Sequence, residues 1–272
     1  MEEVERDNLR EIAGLSQRGG TLSIVHLIEA NTLTVEMAAY SLYIISHGAS
    51  ILTAAVPGNA GKTTLLACLL TFIPPGSRII TISSPSILDR LTDWPSEPQY
   101  MLIHEIGSGP WYAYLWGRDV AKAFKLIGPN RYLASCIHVD TIDQLYSVLT
   151  SEELGVDPVD LAKLDLVCFM HLEGNFLTGY RRRVAGMFEA VGDADRHEPL
   201  FRWERRGDRF VKSDDSSLIR RLARRLGKRE DEVREGIERC RVFLEDLCRG
   251  NVRDFRQVRA EVIRFLERGY EP

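Results

Sequence analysis

No stretch of the 272 residues approaches the roughly 18 consecutive apolar residues that a membrane-spanning helix needs. Any membrane association is therefore expected to run through a partner. Cysteine is sparse: Cys68, Cys136, Cys168, Cys240 and Cys248 are odd in number, widely spaced, and form no C-x-x-C. That argues against a disulfide framework or a zinc ribbon and fits free thiols in a reducing cytosol. The N-terminal segment carries Glu2, Glu3 and Glu5 and no apolar core, unlike a secretory leader. Low-complexity segments and internal repeats are lacking too. The composition, 44% hydrophobic and 27% charged, excludes wholesale disorder, collagen and a pure coiled coil. The length suits one large α/β domain with a small appendage.

The net charge of −4 conceals an asymmetry. Residues 1–200 hold 15 Lys and Arg against 24 Asp and Glu, whereas residues 201–272 hold 20 against 15. A basic tail can mean nucleic acid or an acidic partner. Here the bases alternate with acids, as in Arg229-Glu230-Asp231-Glu232, so a solvated, salt-bridged helical face is expected.

The first 48 residues read as helices: 2–18 ended by Gly19-Gly20, a short one over 21–30, and 35–47 capped by Thr34 and stopped at Gly48. Ser50 to Val56 is a short apolar run suited to a buried parallel strand. Residues 57–64 turn into a helix over 63–72, and 78–82 form the next strand. The proline-containing stretch from 83 reads as irregular, 100–103 as a strand, and 112–127 as a helix bent near Gly117. Residues 132–137 make a fourth strand, followed by a capping box at Thr141-x-x-Gln144. Asp157-Pro158 opens a further helix. Strands follow over 166–172 and 182–190, with a turn at 175–179 between them, and a hairpin pairs 199–204 with 209–211. From Ser216 the pattern is helical, broken near Gly227 and Gly250-Asn251. Strands alternating with helices, then strands in succession, predict a mostly parallel sheet with an antiparallel margin.

The sharpest motif is Val56-Pro57-Gly58-Asn59-Ala60-Gly61-Lys62-Thr63-Thr64, set between a strand and a helix. A P-loop needs that setting: glycines let backbone N–H groups wrap a phosphate, and the helix N-terminus adds positive potential. Gly58, Asn59, Ala60, Gly61, Lys62, Thr63 and Thr64 are the candidate nucleotide-binding residues. Lys62 would reach the β- and γ-phosphates and the Thr63 hydroxyl would hold Mg²⁺. One departure is that Val56 stands where the first glycine of G-x-x-x-x-G-K-[ST] belongs, with Gly58 two places later to relieve the turn. The alternative is a strand-to-helix turn with no ligand. His104-Glu105 follows the strand 100–103, expected to neighbour the P-loop strand, and places a carboxylate where a metal-linked water or a catalytic base belongs. Capping of the next loop is the other reading of Glu105. His138-Val139-Asp140 follows the fourth strand, and His138 and Asp140 point the same way on extended chain. They could sense a γ-phosphate, bind a metal, or serve structure alone. No ligand spacing supports a transition-metal site from His104 and Cys136.

At this point the chain resembles the type II and type IV secretion, pilus and archaellum motor ATPases, their archaeal members above all. L-T-A-A-V-P-G-N-A-G-K-T-T-L-L resembles the family's Walker A, M-L-I-H-E-I-G its Walker B, and L-A-S-C-I-H-V-D-T its histidine box. R-R-R-V-A-G-M-F-E-A, P-L-F-R-W, the tail R-D-F-R-Q-V-R-A-E-V-I-R-F-L and the lead-in T-L-S-I-V-H-L-I-E-A-N-T-L-T continue the likeness, over roughly residues 20–268. The resemblance implies a RecA-like P-loop NTPase: a helical lead-in over 1–48, the ATPase domain over 49–212 and a C-terminal helical module over 213–272. It implies catalytic roles for Glu105 and His138, a metal held by Thr63 and Glu105, and ATP with Mg²⁺. It further implies a cytoplasmic homo-oligomer, a hexameric ring being the usual form, that works on a membrane-platform protein. Three departures stand out. Ser83 and Ser84 occupy the place of the family's acidic pair, with Asp89 several residues late. The usual glycine and arginine around Glu105 are missing. The large N-terminal domain that supplies arginines has no counterpart in the 48 residues before the P-loop strand. Slow hydrolysis is therefore expected. A hydrolysis-deficient regulator of such a motor is the alternative; a nucleic-acid translocase is disfavoured by the acidic P-loop region and the lack of a basic, aromatic stripe.

Overall fold

The computed structural model describes the chain except Met1, residues 17–19, Thr92, Phe176, Thr178, residues 193–195 and residues 271–272. Gly19, expected to end the first helix, and parts of the 175–179 turn lie outside the described residues. The elements run α1 (Glu2–Gly14), α2 (Ile24–Glu29), α3 (Val35–Ser46), β1 (Ile51–Ala54), α4 (Lys62–Leu70), β2 (Arg78–Thr81), α5 (Pro85–Arg90), β3 (Gln99–Ile106), β4 (Tyr114–Leu115), α6 (Arg118–Lys125), β5 (Arg131–Ile137), α7 (Ile142–Leu149) and α8 (Pro158–Leu161). They continue as β6 (Leu166–Asn175), β7 (Gly179–Ala190), β8 (His197–Glu204), β9 (Arg209–Lys212), α9 (Ser217–Leu226), α10 (Glu230–Arg249) and α11 (Phe255–Glu267).

The fold is mixed α/β with a mostly parallel sheet, as the sequence pattern implies. Strands lie in the order β2-β3-β5-β1-β6-β7-β8-β9, with β4 pairing β3. Pairing is parallel from β2 through β6 and antiparallel from β6 through β9. Successive residues of the central strands feed two separate cores, because side chains alternate across a strand. Ile51, Ala134, Leu166 and Cys168 face one core with α1 to α4 and α9 to α11. Leu52, Leu133, Val167 and Phe169 face the other with α5 to α8. Burying each such Leu, Ile or Val contributes roughly 1.5–3 kcal/mol. This double burial is why the strands read as continuous apolar runs.

Three sequence expectations are corrected. Residues 112–127 are not one helix: Tyr114 and Leu115 pair with Glu105 and Ile106, and α6 starts only after Gly117, whose φ of 71° interrupts the chain. The stretch from 83 is not wholly irregular, because Pro85 occupies the first turn of α5, where its missing N–H costs nothing. The capping box is half formed. Thr141 accepts from Gln144 N, but the Gln144 side chain accepts from Asp140 N instead of the cap residue.

Two long-range clamps fix the terminal helices, one to the edge of the sheet and one to α1 and the segment after α4. Asn8 of α1 donates to Ser77 O at 2.7 Å and accepts from Ile79 N at 2.9 Å, which covers part of the exposed edge of β2. Arg259 of α11 is 1% exposed. It pairs with Glu5 through two bonds of 3.0 and 2.7 Å and donates to Thr71 O and Ile73 O just past α4. The C-terminal helices therefore share a core with the first ones. At the crossing of α10 and α3 a Cβ on Gly236 would lie 2.1 Å from the Tyr43 ring, so only glycine permits that approach. The tail's charges mostly neutralise each other at helical spacing, as in Arg241 with Glu238 and Glu245 and Arg264 with Glu261.

Candidate functional site

β1 ends at Ala54, and the chain from Ala55 to Gly61 returns to start α4 at Lys62. The left-handed positions of this loop are Asn59 (φ 62°) and Gly61 (φ 97°). Val56 is not among them, so a side chain is tolerated there, and it points out, 51% exposed. Gly58 does not relieve the turn as expected: its φ is ordinary and a Cβ there would meet nothing within 4 Å. Gly61 carries the constraint. A Cβ at that position would be strained by its φ and would lie 3.3 Å from both Arg182 and Met170 side chains. With Gly61 as N-cap, the first N–H groups of α4, from Lys62 onward, have no intrahelical acceptor and form an anion-favouring end.

The flank of the loop toward β5 and β3 gathers the other expected residues. The expectation that the Glu105 strand neighbours the P-loop strand is corrected. In the structure β5 lies between β1 and β3, so the neighbour on that side is the strand that leads into His138, and Glu105 sits one strand further out. A bulge between Ile103 and Ile106 in the β3–β5 ladder spans His104 and Glu105 and re-aims them. Glu105 then reaches within 3.5 Å of His138 Nε2. His104 leaves this group and meets the Tyr112 ring edge-on at 5.3 Å.

Lys62 is buried, its Nζ donating to Ala55 O at 3.2 Å and lying 3.2 Å from His138 Nδ1. His138 Nδ1 is also 2.9 Å from Val56 O. One tautomer cannot serve both: a proton on Nδ1 suits the carbonyl, whereas a lone pair suits the ammonium. Asp140 accepts from Val56 N at 2.7 Å. His138 and Asp140 thus hold the backbone carbonyl and N–H of Val56, which sets the start of the loop. Glu105 is 6% exposed, and its Oε1 is buried with no hydrogen-bond partner. Burial raises the Glu105 pKa, opposed by the charge of Lys62 and by His138.

A buried carboxylate oxygen that makes no hydrogen bond, near a lysine and a helix N-terminus, fits a cationic or water ligand that bridges to phosphate. Among the described residues no group of three His, Cys, Asp or Glu side chains could hold a metal by itself. A divalent ion here would lean on Thr63, Glu105 and the phosphates it accompanies. Ser84 of the serine pair bonds Ser86 at 2.9 Å, and Asp89 is paired with Lys122. Cys136 contacts Thr53 at 3.1 Å, and burial pushes its thiol up to about 12. No helix among the described residues is long and apolar enough to cross a membrane.

No protein-family model matches the chain. It is similar to the uncharacterized protein MJ1287 of Methanocaldococcus jannaschii, 25% identical over 256 residues that take in 82% of this chain and 90% of that one. The uncharacterized protein MJ0900 of the same organism is 23% identical over 288 residues, 92% of this chain and 50% of that one, so the chain spans half the length of MJ0900. Among solved structures, the VirB11 ATPase from the Brucella suis type IV secretion system, in complex with sulphate, superposes with a TM-score of 0.41. It is 15% identical and covers 60% of this chain and 54% of that chain. A likeness of that degree transfers no chemistry.

One neighbour of the loop has no motif of its own. Arg182 of β7 donates from Nε to Asn59 O at 3.0 Å. In the sequence it is one of three successive arginines, and nothing local distinguishes it from Arg181 and Arg183.

Proposed function

We propose that the chain is a P-loop ATPase of the secretion and pilus motor kind, binding Mg-ATP at residues 58–64 and coupling nucleotide state to movement of a membrane-associated assembly. The observation that carries this reading is the convergence of Lys62, His138 and a buried Glu105 carboxylate oxygen that makes no hydrogen bond and lies 3.5 Å from His138 Nε2, beside the N-terminus of α4. On phosphate binding, Lys62 exchanges the Ala55 carbonyl for phosphate oxygens, and the free N–H groups of α4 take others. Mg²⁺, when bound, supplies charge neutralisation, with the Thr63 hydroxyl and the Glu105 carboxylate as its protein contacts. Glu105 holds and orients the attacking water, helped by a pKa raised by burial. His138, between Lys62 and Glu105, relays the presence of the terminal phosphate to the Val56 peptide.

Turnover is expected to be slow in the isolated chain. Serines hold the place of the family's acidic pair, and the Asp89 carboxylate is engaged by Lys122 instead of the loop. An arginine finger is worth about 10³–10⁵ in rate. Self-association, as a hexameric ring, is the way a second copy would supply one, and Trp111 and Tyr112, 67% and 65% exposed, offer contact surface beyond β3. The same engaged Ser84 and Asp89 favour a second reading, a nucleotide-binding regulator without turnover. Calorimetry with Mg-ATP and phosphate release at saturating nucleotide test both. Lys62→Ala should weaken binding strongly and Glu105→Gln should abolish phosphate release while sparing binding. Equal ATP affinity in Lys62→Ala would sink the proposal; binding without release in the unaltered chain would select the regulator.

A further inference from the structure

The β6–β7 hairpin runs past the end of β1. Cys168 and Phe169 pair with Thr53 and Ala54, and β6 then continues for six more residues, Met170 to Asn175, against Gly179 to Val184 of β7. At about 3.4 Å per residue the hairpin stands roughly 20 Å beyond the strand that feeds the phosphate loop. In its register Met170 opposes Val184, Leu172 opposes Arg182 and Gly174 opposes Tyr180. Directly opposed residues share a face, so Met170, Leu172, Tyr180 and Arg182 lie on one side, and His171, Glu173, Arg181 and Arg183 on the other.

The first face overlooks the phosphate loop. Arg182 bonds Asn59 O, and the Met170 and Arg182 side chains are the nearest groups that a Cβ on Gly61 would meet. The second face anchors the hairpin. Arg183 grips Asp208 through two bonds of 2.7 Å and donates to Ala30 O at the end of α2. Glu173 pairs with Arg181 and Arg205. The overhanging face is therefore held from behind, and its geometry does not depend on a ligand.

Lys62, His138 and Glu105 occupy the β5–β3 flank of the loop; Arg182 and Tyr180 occupy the β6–β7 flank. A nucleoside triphosphate whose terminal phosphate lies by Lys62 and Glu105 must carry its base out on the opposite flank. There Tyr180 presents a 56% exposed ring with the Arg182 guanidinium 5.9 Å from its centroid, and Leu172 adds apolar surface on the same face. We infer that Tyr180 is the platform on which the nucleobase stacks and that Arg182, tied to the loop through Asn59, sets the position of that platform over the phosphates. The inference rests on the proposed nucleotide site and adds the groups that read the base end of the ligand. A flat π-face and a cation–π partner suit a purine better than a bare phosphate chain.

The experiment is calorimetric titration of the full chain with Mg-ATP and, separately, with Mg-tripolyphosphate, which carries the phosphates without a base. The unaltered chain should bind ATP at least roughly tenfold more tightly, the order expected of one base–aromatic stack. Tyr180→Ala should weaken ATP by roughly that factor and leave tripolyphosphate unchanged, and Tyr180→Phe should restore the ATP affinity. Arg182→Gln should act in the same sense as Tyr180→Ala, whereas Lys62→Ala should weaken both ligands. An exposed Tyr180 can be replaced without disturbing either core, and circular dichroism checks this. If Tyr180→Ala binds ATP as tightly as the unaltered chain, or loses both ligands equally, the base platform is wrong while the loop site stands. If the unaltered chain binds neither ligand, the nucleotide reading falls, and the platform with it.

Discussion

Replacing Arg259 by Met tests whether its buried guanidinium ties the C-terminal helices to α1, through Glu5, and to the segment after α4, through Thr71 O and Ile73 O. The guanidinium is 1% exposed and spends its donors on four acceptors: two Glu5 oxygens and the carbonyls of Thr71 and Ile73. Methionine keeps much of the apolar stem, so the loss is chiefly electrostatic. Removing one partner of a buried pair typically costs about 3–5 kcal/mol, because the other charge is left uncompensated. The Glu5 side chain is 13% exposed and can recover some hydration, which puts the carboxylate's share near the low end. Two carbonyls without donors add on the order of 1 kcal/mol each if they stay dry. Together these give roughly 5 kcal/mol, a drop in Tm of about 10–20 °C for a domain of this size. Thermal unfolding of the single variants and of the double variant Glu5→Gln/Arg259→Met forms a cycle. The coupling should be about 2 kcal/mol or more, since the double variant no longer buries a lone charge. An Arg259→Met variant within about 1 kcal/mol of the original, or an additive cycle, would refute the reasoning.

Other outcomes follow from single sites. His197 is buried between the Tyr146 hydroxyl and Leu164 O, each at 2.6 Å, and burial lowers its pKa to about 4. A folded pKa below the unfolded value of about 6.5 means that the unfolded chain takes up the proton first, so stability rises with pH between 4 and 6.5 and is lost as pH falls through that window. The loss approaches on the order of 3 kcal/mol, and His197→Gln should flatten that part of a denaturant-melt pH profile. Gly61→Ala should cost roughly 1–2 kcal/mol by urea unfolding, through its φ, and should cut ATP affinity more than tenfold by displacing Arg182 and Met170; unchanged binding would contradict the role assigned to this turn. Asp140→Ala frees Val56 N to water at an exposed position, so stability should change by less than about 1 kcal/mol, while ATP affinity measured by calorimetry should fall several-fold as the loop loses its anchor.

Much of this protein is local, and the local part is legible in the sequence. The P-loop signature is a contiguous strand, turn and helix, and its glycine-lysine-threonine core marks it without any tertiary information. The strands that feed two cores announce themselves as apolar runs, and Thr34 and Asp157 cap helices as short-range side-chain bonds dictate. Sequence and structure part where a local pattern meets a partner elsewhere. Tyr114 and Leu115 are helical by composition but are drawn into the sheet by β3. Gly58 suggests relief of the turn because it is a glycine near a missing one, whereas the backbone places its left-handed residues at Asn59 and Gly61.

Periodicity reports which face of an element is buried, but it carries no record of which strand lies beside which. The placement of β5 between β1 and β3, and with it the meeting of His138, Lys62 and Glu105, exists only once the sheet is assembled. The same holds for the three arginines of β7. They are alike in the sequence, yet strand alternation sends Arg182 to the loop before α4 and Arg181 and Arg183 to acidic partners behind the hairpin. Arg259 reads as one more charge on an amphipathic helix, and its buried pairing with Glu5 spans nearly the whole chain. Short-range sterics and hydrogen bonds wrote the loop into the sequence; long-range closure, which no window of neighbouring residues contains, decided what stands around it.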